Sequence, residues 1–177
     1  MAVTSGSRVQ FEYMLGGGSP ALVTAPEGYD STGWDKGTFL LWDATGHYEK
    51  AASGELVAPV LGLAISPMTS TADGSVEKPF LLLTHDTVLS AVVAHNTTAS
   101  AALQATNFFK SYDLTSSATI CPSTNVMVID LGKAATGAGA YIIGAKDATG
   151  TAYGRAYFVM AGRSWSTDHP YNCLVST

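Results

Sequence analysis

Gly37-Thr38-Phe39-Leu40-Leu41-Trp42-Asp43-Ala44-Thr45-Gly46-His47-Tyr48-Glu49-Lys50-Ala51 decides the fold class. Phe39 to Trp42 is a short apolar and aromatic run of the kind that suits a pleated strand. Asp43-Ala44-Thr45-Gly46 reads as a turn: the aspartate side chain bonds back to the backbone, and glycine accepts the backbone angles that close the turn. His47 to Ala51 then alternates as a returning strand. Strand, tight turn and strand within fifteen residues leave no room for a helix and point to an antiparallel β protein.

The same punctuation continues along the chain. Ala58 to Ile65 is an apolar run interrupted by Gly62, which predicts a bulge or a close backbone approach. Thr71-Ala72-Asp73-Gly74 is another turn, and Pro79 to Thr84 and Val88 to Ala94 are further strands. Tyr112 to Leu114, Val126 to Asp130, Ala140 to Ala145 and Ala152 to Met160 complete the set. Asp147-Ala148-Thr149-Gly150 joins the last two as a hairpin and repeats the tetrapeptide at Asp43. Between the strands, Asn96-Thr97-Thr98 offers N-cap side chains, and Ala99 to Lys110 holds no Gly or Pro. A short helix over about 98–110 is predicted there, with Leu103 and Phe108 or Phe109 facing the sheet.

The first 35 residues differ. Arg8 to Met14 alternates like a strand but runs into Gly16-Gly17-Gly18-Ser19-Pro20, and Ala21 to Pro26 is followed by turn residues up to Gly33. Two readings fit: an extended arm that lies on a neighbouring molecule, or a first edge strand followed by a long loop. On the first, Arg8, Phe11, Tyr13, Leu15, Leu22 and Trp34 are contact residues, and deleting Met1 to Gly18 leaves the body folded. The expected fold is therefore mainly β: a small β-barrel or β-sandwich body with one short helix and an extended N-terminal arm. The arm is 1–35, the body 36–163 with possible subregions 36–95 and 96–163, and a polar C-terminal tail covers 164–177.

Composition narrows the function. Only 13% of the 177 residues are charged, against about a quarter in an average domain. A surface covered by neutral hydroxyls tends to associate. The nine Lys and Arg form no cluster and the net charge is −5, which argues against nucleic-acid binding. No apolar run reaches the roughly 18–20 residues a membrane span needs. Met1 to Gly18 shows no basic stretch followed by an apolar core, so synthesis in the cytoplasm is expected. Cys121 and Cys173 read as free thiols, with a disulfide tying down the tail as the alternative.

Chemistry-bearing motifs are hard to find. His47, His85, His95 and His169 form no HxH or HExxH pair. No GxSxG nucleophile elbow occurs, and Gly132, Gly137, Gly139 and Gly144 match neither phosphate-loop spacing. Asp30, Asp43, Asp73 and Asp147 sit in turns, which accounts for them. Trp34, Trp42 and Trp165 are the only candidates for a sugar-stacking platform. No catalytic residue, cofactor or metal site is expected, and the chain reads as a non-enzyme.

Two groups of residues carry a family resemblance. Gly37 to Asp43, Gly46, Tyr48 to Ala51 and Val60 to Ala64 resemble tailed-bacteriophage head decoration (cement) proteins. Val128-Ile129-Asp130, Ile142 to Asp147 and Gly150 to Phe158 resemble the closing strands of phage minor capsid proteins. The resemblance spans about residues 36–160. It implies a structural virion protein on the outer surface of the capsid, bound to the major capsid protein as a homotrimer at local threefold positions. It also implies reinforcement of the shell against packaged DNA, with assembly in the host cytoplasm. The alternative is a virion-surface carbohydrate-binding or head-fibre attachment protein.

Overall fold

The computed structural model describes residues 8–51, 62–84, 86–95, 101–115, 127–134 and 139–161. The expectations that fall on Cys121, Cys173, His85, His169, Trp165, Ala58 to Leu61 and the tail lie outside those residues. The fold is mainly β, with two sheets forming a sandwich with barrel-like closure. Its strands are β1 (Gln10–Met14), β2 (Leu22–Pro26), β3 (Phe39–Trp42), β4 (Tyr48–Lys50), β5 (Gly62–Ala64) and β6 (Glu77–Leu82). They continue with β7 (Thr87–Ala94), β8 (Ser111–Thr115), β9 (Val128–Ala134), β10 (Gly139–Ala145) and β11 (Arg155–Ala161).

The larger sheet runs β1-β7-β11-β10-β8-β9, and β9 returns to pair in parallel with the far end of β7. Five of its strands thus close into a ring, while β1 occupies the rest of the β7 edge. The smaller sheet runs β2-β6-β5-β3-β4, antiparallel throughout. It curls until its outer strands meet at a parallel bridge between Glu27 and Tyr48.

β7 is the pivot. All eight of its residues are buried, as its near-continuous apolar run Val88-Leu89-Ser90-Ala91-Val92-Val93-Ala94, interrupted only by Ser90, demands. Leu89, Ala91 and Val93 enter the main core, where Phe39, Leu63 and Leu81 of the smaller sheet meet Ile129, Ile142 and Phe158 of the larger. Val92 and Ala94 face the other way, onto Val128 and Tyr153. The smaller sheet is two-sided as well. Leu40, Ala64 and Phe80 form a second core with Trp34 and Tyr48; the Tyr48 ring lies tilted against those of Trp34 and Phe80 at centroid separations of 5.9 and 5.1 Å.

Glycine is required where backbones come closest. Gly62 pairs with both Leu40 and Leu82. A Cβ there would lie 2.8 Å from the Leu81 carbonyl and run into the Phe80 ring. The close approach predicted from the sequence is the one observed. At Gly37 the backbone has φ +86°, and a Cβ would lie 2.6 Å from the Val9 carbonyl. The N-terminal segment crosses the smaller sheet at that point.

Two expectations are corrected. The helix over 98–110 does not form across the described residues 101–110: only a 3-10 turn at Ala105–Asn107 is helical. Ala101 and Leu103 are buried as an extended segment, and Ala102 bridges Ala152. Alanine's helix preference, a few tenths of a kcal/mol per residue, gives way to packing against the sheet.

The extended arm is the second correction. Residues 8–33 are part of the body, as the edge-strand reading had it. β1 lies along β7 and β2 along β6, so the segment supplies an outer strand to each sheet. Val9 is buried, and Arg8 forms an ion pair with Asp35 at 2.9 Å. Such ties belong to a folded edge, not to a strap awaiting a neighbour.

The two copies of Asp-Ala-Thr-Gly differ in use. At the β3–β4 turn the Asp43 carboxylate accepts bonds from the amides of Thr45 (2.8 Å) and His47 (2.9 Å) and from the Thr45 hydroxyl (2.7 Å). In the β10–β11 connection Asp147 instead accepts the Arg155 amide at 2.8 Å. Burial alone would raise the Asp43 pKa, but the Thr45 and His47 bonds and the His47 charge outweigh it and bring it to about 2. A carboxylate with a lowered folded-state pKa stabilises the fold above its unfolded value and loses that contribution as pH falls through the folded value. Asp43→Asn is therefore expected to lower the melting temperature at neutral pH. The gap to wild type should shrink between pH 4 and pH 2, as followed by circular dichroism.

Candidate contact surface

The larger sheet has an outer face built by alternation. Leu89, Ala140, Ile142, Ala156 and Phe158 point into the core. Their strand neighbours Ser90, Tyr141, Tyr157 and Val159 consequently point outward. β1 would place its side chains in strict alternation, but its register shifts between Phe11 and Tyr13. This bulge lets Glu12 and Tyr13 both face outward. Tyr13 then meets Tyr157 edge-on at a centroid separation of 6.1 Å. Tyr141, Tyr157 and Val159 are half-buried, while Tyr13 is exposed.

A polar network holds this face together. The Arg155 guanidinium donates to the Arg8 carbonyl (2.9 Å), the Ser90 carbonyl (2.7 Å) and the Ser90 hydroxyl (2.8 Å). The Ser90 hydroxyl donates to the Glu12 carboxylate, which also pairs with Lys146. Burial pulls the Arg155 pKa below the usual arginine value, and the Glu12 and Asp147 charges act against that. Ser90 is fully buried, so its hydroxyl serves the network and offers no nucleophile to solvent.

A second polar centre lies at the junction of the smaller sheet. Glu27 is only 1% exposed. Its carboxylate accepts the amides of Thr69 (3.2 Å) and Ser70 (3.0 Å) and lies 3.8 Å from the Lys78 ammonium. The Tyr48 hydroxyl lies near the same carboxylate. Burial and the nearby Glu27 carboxylate together raise the Tyr48 pKa well above the usual phenol value. The Glu27 backbone is held as well, its amide by Val76 (2.8 Å) and its carbonyl by Gly74 (2.8 Å). This arrangement fastens the 67–76 loop over the second core.

The six contact residues fall into different environments. Tyr13, Leu15 and Leu22 are exposed, Leu15 at 55% and Leu22 at 59%. Phe11 is half-buried against the main core, and Arg8 is committed to Asp35. Trp34 is 3% exposed in the second core. It is corrected from a contact residue to a core residue, because its indole packs against the Tyr48 ring in the cluster with Leu40, Ala64 and Phe80. Of the three tryptophans considered for sugar stacking, Trp34 is withdrawn into the core, Trp42 is exposed at the end of β3, and Trp165 lies outside the described residues.

Glu27 and Arg155 were missed from the sequence. A lone acid after Pro26 and a lone arginine opening a strand carry no spacing signal. Their scarcity in a chain with so few charges is the one available hint. Among the described residues, no three His, Cys, Asp or Glu side chains form a group that could hold a metal ion. No helix of the described residues is long and apolar enough to cross a membrane. Comparison with known proteins supplies no family: no family model, curated protein or solved structure matches the chain.

Proposed function

We propose that this chain is a structural virion protein that binds the outer surface of a phage capsid and reinforces the shell, without catalysing a reaction. One observation carries the reading: the outer face of the larger sheet displays Tyr13, Tyr141, Tyr157 and Val159. The amphipathic rings of the three tyrosines are typical of interface centres. The polar side chains around them, Glu12, Ser90, Lys146 and Arg155, are engaged with one another. The resemblance of residues 36–160 to decoration and minor capsid proteins supplies the identity of the partner, a lattice of major capsid protein. Three copies about each local threefold position are expected on the shell.

Such a protein works by linkage. A ligand that binds the assembled shell and not its dissociated subunits stabilises assembly in proportion to the logarithm of its free concentration over Kd. About 800 Å² per partner is an adequate contact. The test is co-sedimentation with empty shells assembled from a phage major capsid protein. Saturable binding in the micromolar range or tighter is expected, with a raised rupture temperature for decorated shells. Tyr13→Asp combined with Tyr157→Asp should weaken binding at least tenfold. Shells that sediment without the protein at micromolar concentrations contradict the proposal.

A further inference from the structure

The outer edge of β2 differs from that of β1. Sheet edges are templates for pairing with another chain, and proteins blunt them with charges, bulges or prolines. β1 carries the bulge and the acid Glu12. β2 keeps an unbroken register with β6 from Leu22 to Pro26 and contains no charged residue. Beyond Pro26 the edge is covered, because Glu27 bridges Tyr48 and the Gly28 amide donates to the Tyr48 carbonyl at 2.8 Å. No described strand pairs with the stretch before it.

The hydrogen-bond alternation fixes what that stretch presents. The Leu82 amide donates to the Ala21 carbonyl at 2.9 Å, and the Glu27 amide to the Val76 carbonyl at 2.8 Å. In an antiparallel ladder, bonded and non-bonded pairs alternate. Val23 and Ala25 therefore bond inward to β6, while Leu22 and Thr24 point their amides and carbonyls outward. Pro79 sits opposite Thr24 and has no amide to offer it, in keeping with that phase.

From this pattern we infer that β2 pairs antiparallel with β2 of a second copy of this chain, about a twofold axis at Val23. The pattern is self-complementary. With Val23 opposite its symmetry mate, Leu22 of one copy faces Thr24 of the other. Each outward amide then finds an outward carbonyl, and the register uses neither Pro26 nor the covered edge beyond it. Leu22, 59% exposed in the single chain, comes to lie beside Thr24 of the second copy, and no like charges oppose one another. The two smaller sheets become one continuous sheet. The pairing does not depend on shell binding. On a shell it would join chains of neighbouring threefold clusters, since a twofold contact cannot close a trimer.

The test is light scattering on the full chain across the micromolar range, with Thr24→Pro and Leu22→Lys. Thr24→Pro deletes an outward amide and no bond to β6. Leu22→Lys charges the edge at an exposed position. The wild-type chain is expected to reach twice the mass of one chain. Each variant should raise the dimer Kd at least tenfold while keeping the wild-type circular dichroism spectrum. If Thr24→Pro disturbs folding, Leu22→Lys decides alone. A wild-type chain that stays monomeric, or an assembly whose Kd the folded variants leave unchanged, overturns the inference.

Discussion

Glu27→Ala should lower the unfolding free energy by about 3–5 kcal/mol, the range for removing one member of a buried charged cluster. The carboxylate accepts two backbone amides, of Thr69 and Ser70, in a site almost without solvent. Removing it strands those donors, each at a cost of about 1–3 kcal/mol when buried and unpaired. Against a typical total of about 5–15 kcal/mol, the variant retains little margin. Glu27→Gln keeps an acceptor oxygen and should cost less than half as much. Urea unfolding of both variants checks this. The 67–76 loop should open first, seen as faster amide exchange at Thr69 and Ser70. Equal midpoints for wild type and Glu27→Ala would show that Glu27 does not fasten the loop.

Deleting Met1 to Gly18 should abolish cooperative folding rather than merely weaken attachment. The deletion removes β1 and with it the pairing along Thr87 to Ser90. It also removes Val9 and Phe11 from the main core and Glu12 from Ser90 and Lys146. Burial of the two apolar side chains is worth about 1.5–3 kcal/mol each, and each lost hydrogen bond about 1 kcal/mol. The sum is on the order of 5 kcal/mol before the exposed edge of β7 is considered. A flat thermal denaturation curve and collapsed amide dispersion in the NMR spectrum are expected. A truncated chain that melts with the wild-type midpoint would restore the arm reading.

Much of the strand order was legible because its signals are local. Phe39 to Trp42 and Tyr48 to Lys50 announce themselves by alternation around a turn, and Val88 to Ala94 by an apolar run with no polar face to spare. Gly62 stood out because a glycine inside such a run has few other uses. What was not legible depends on partners distant in the chain. Whether Arg8 to Met14 is a strap or a strand is decided by β7, some 75 residues further on. Ala99 to Lys110 reads as a helix because propensity is local, while the pull of the sheet on Ala101 and Leu103 is not. Trp34 resembles any surface aromatic until Tyr48 and Phe80 close around it. The candidate contact surface was half legible. Tyr13, Leu15 and Leu22 are exposed, but Tyr141 and Tyr157 join Tyr13 only through the bulge in β1 and the register of three strands.

The most direct measurement of the central claim is electron cryo-microscopy of phage capsid shells incubated with this protein. The expected result is density for a two-sheet β body outside the capsid floor, with the face bearing Tyr13, Tyr141 and Tyr157 turned toward the major capsid protein. A particle whose outer surface lacks that density, or a body that meets the shell through its smaller sheet with those tyrosines in solvent, would contradict it.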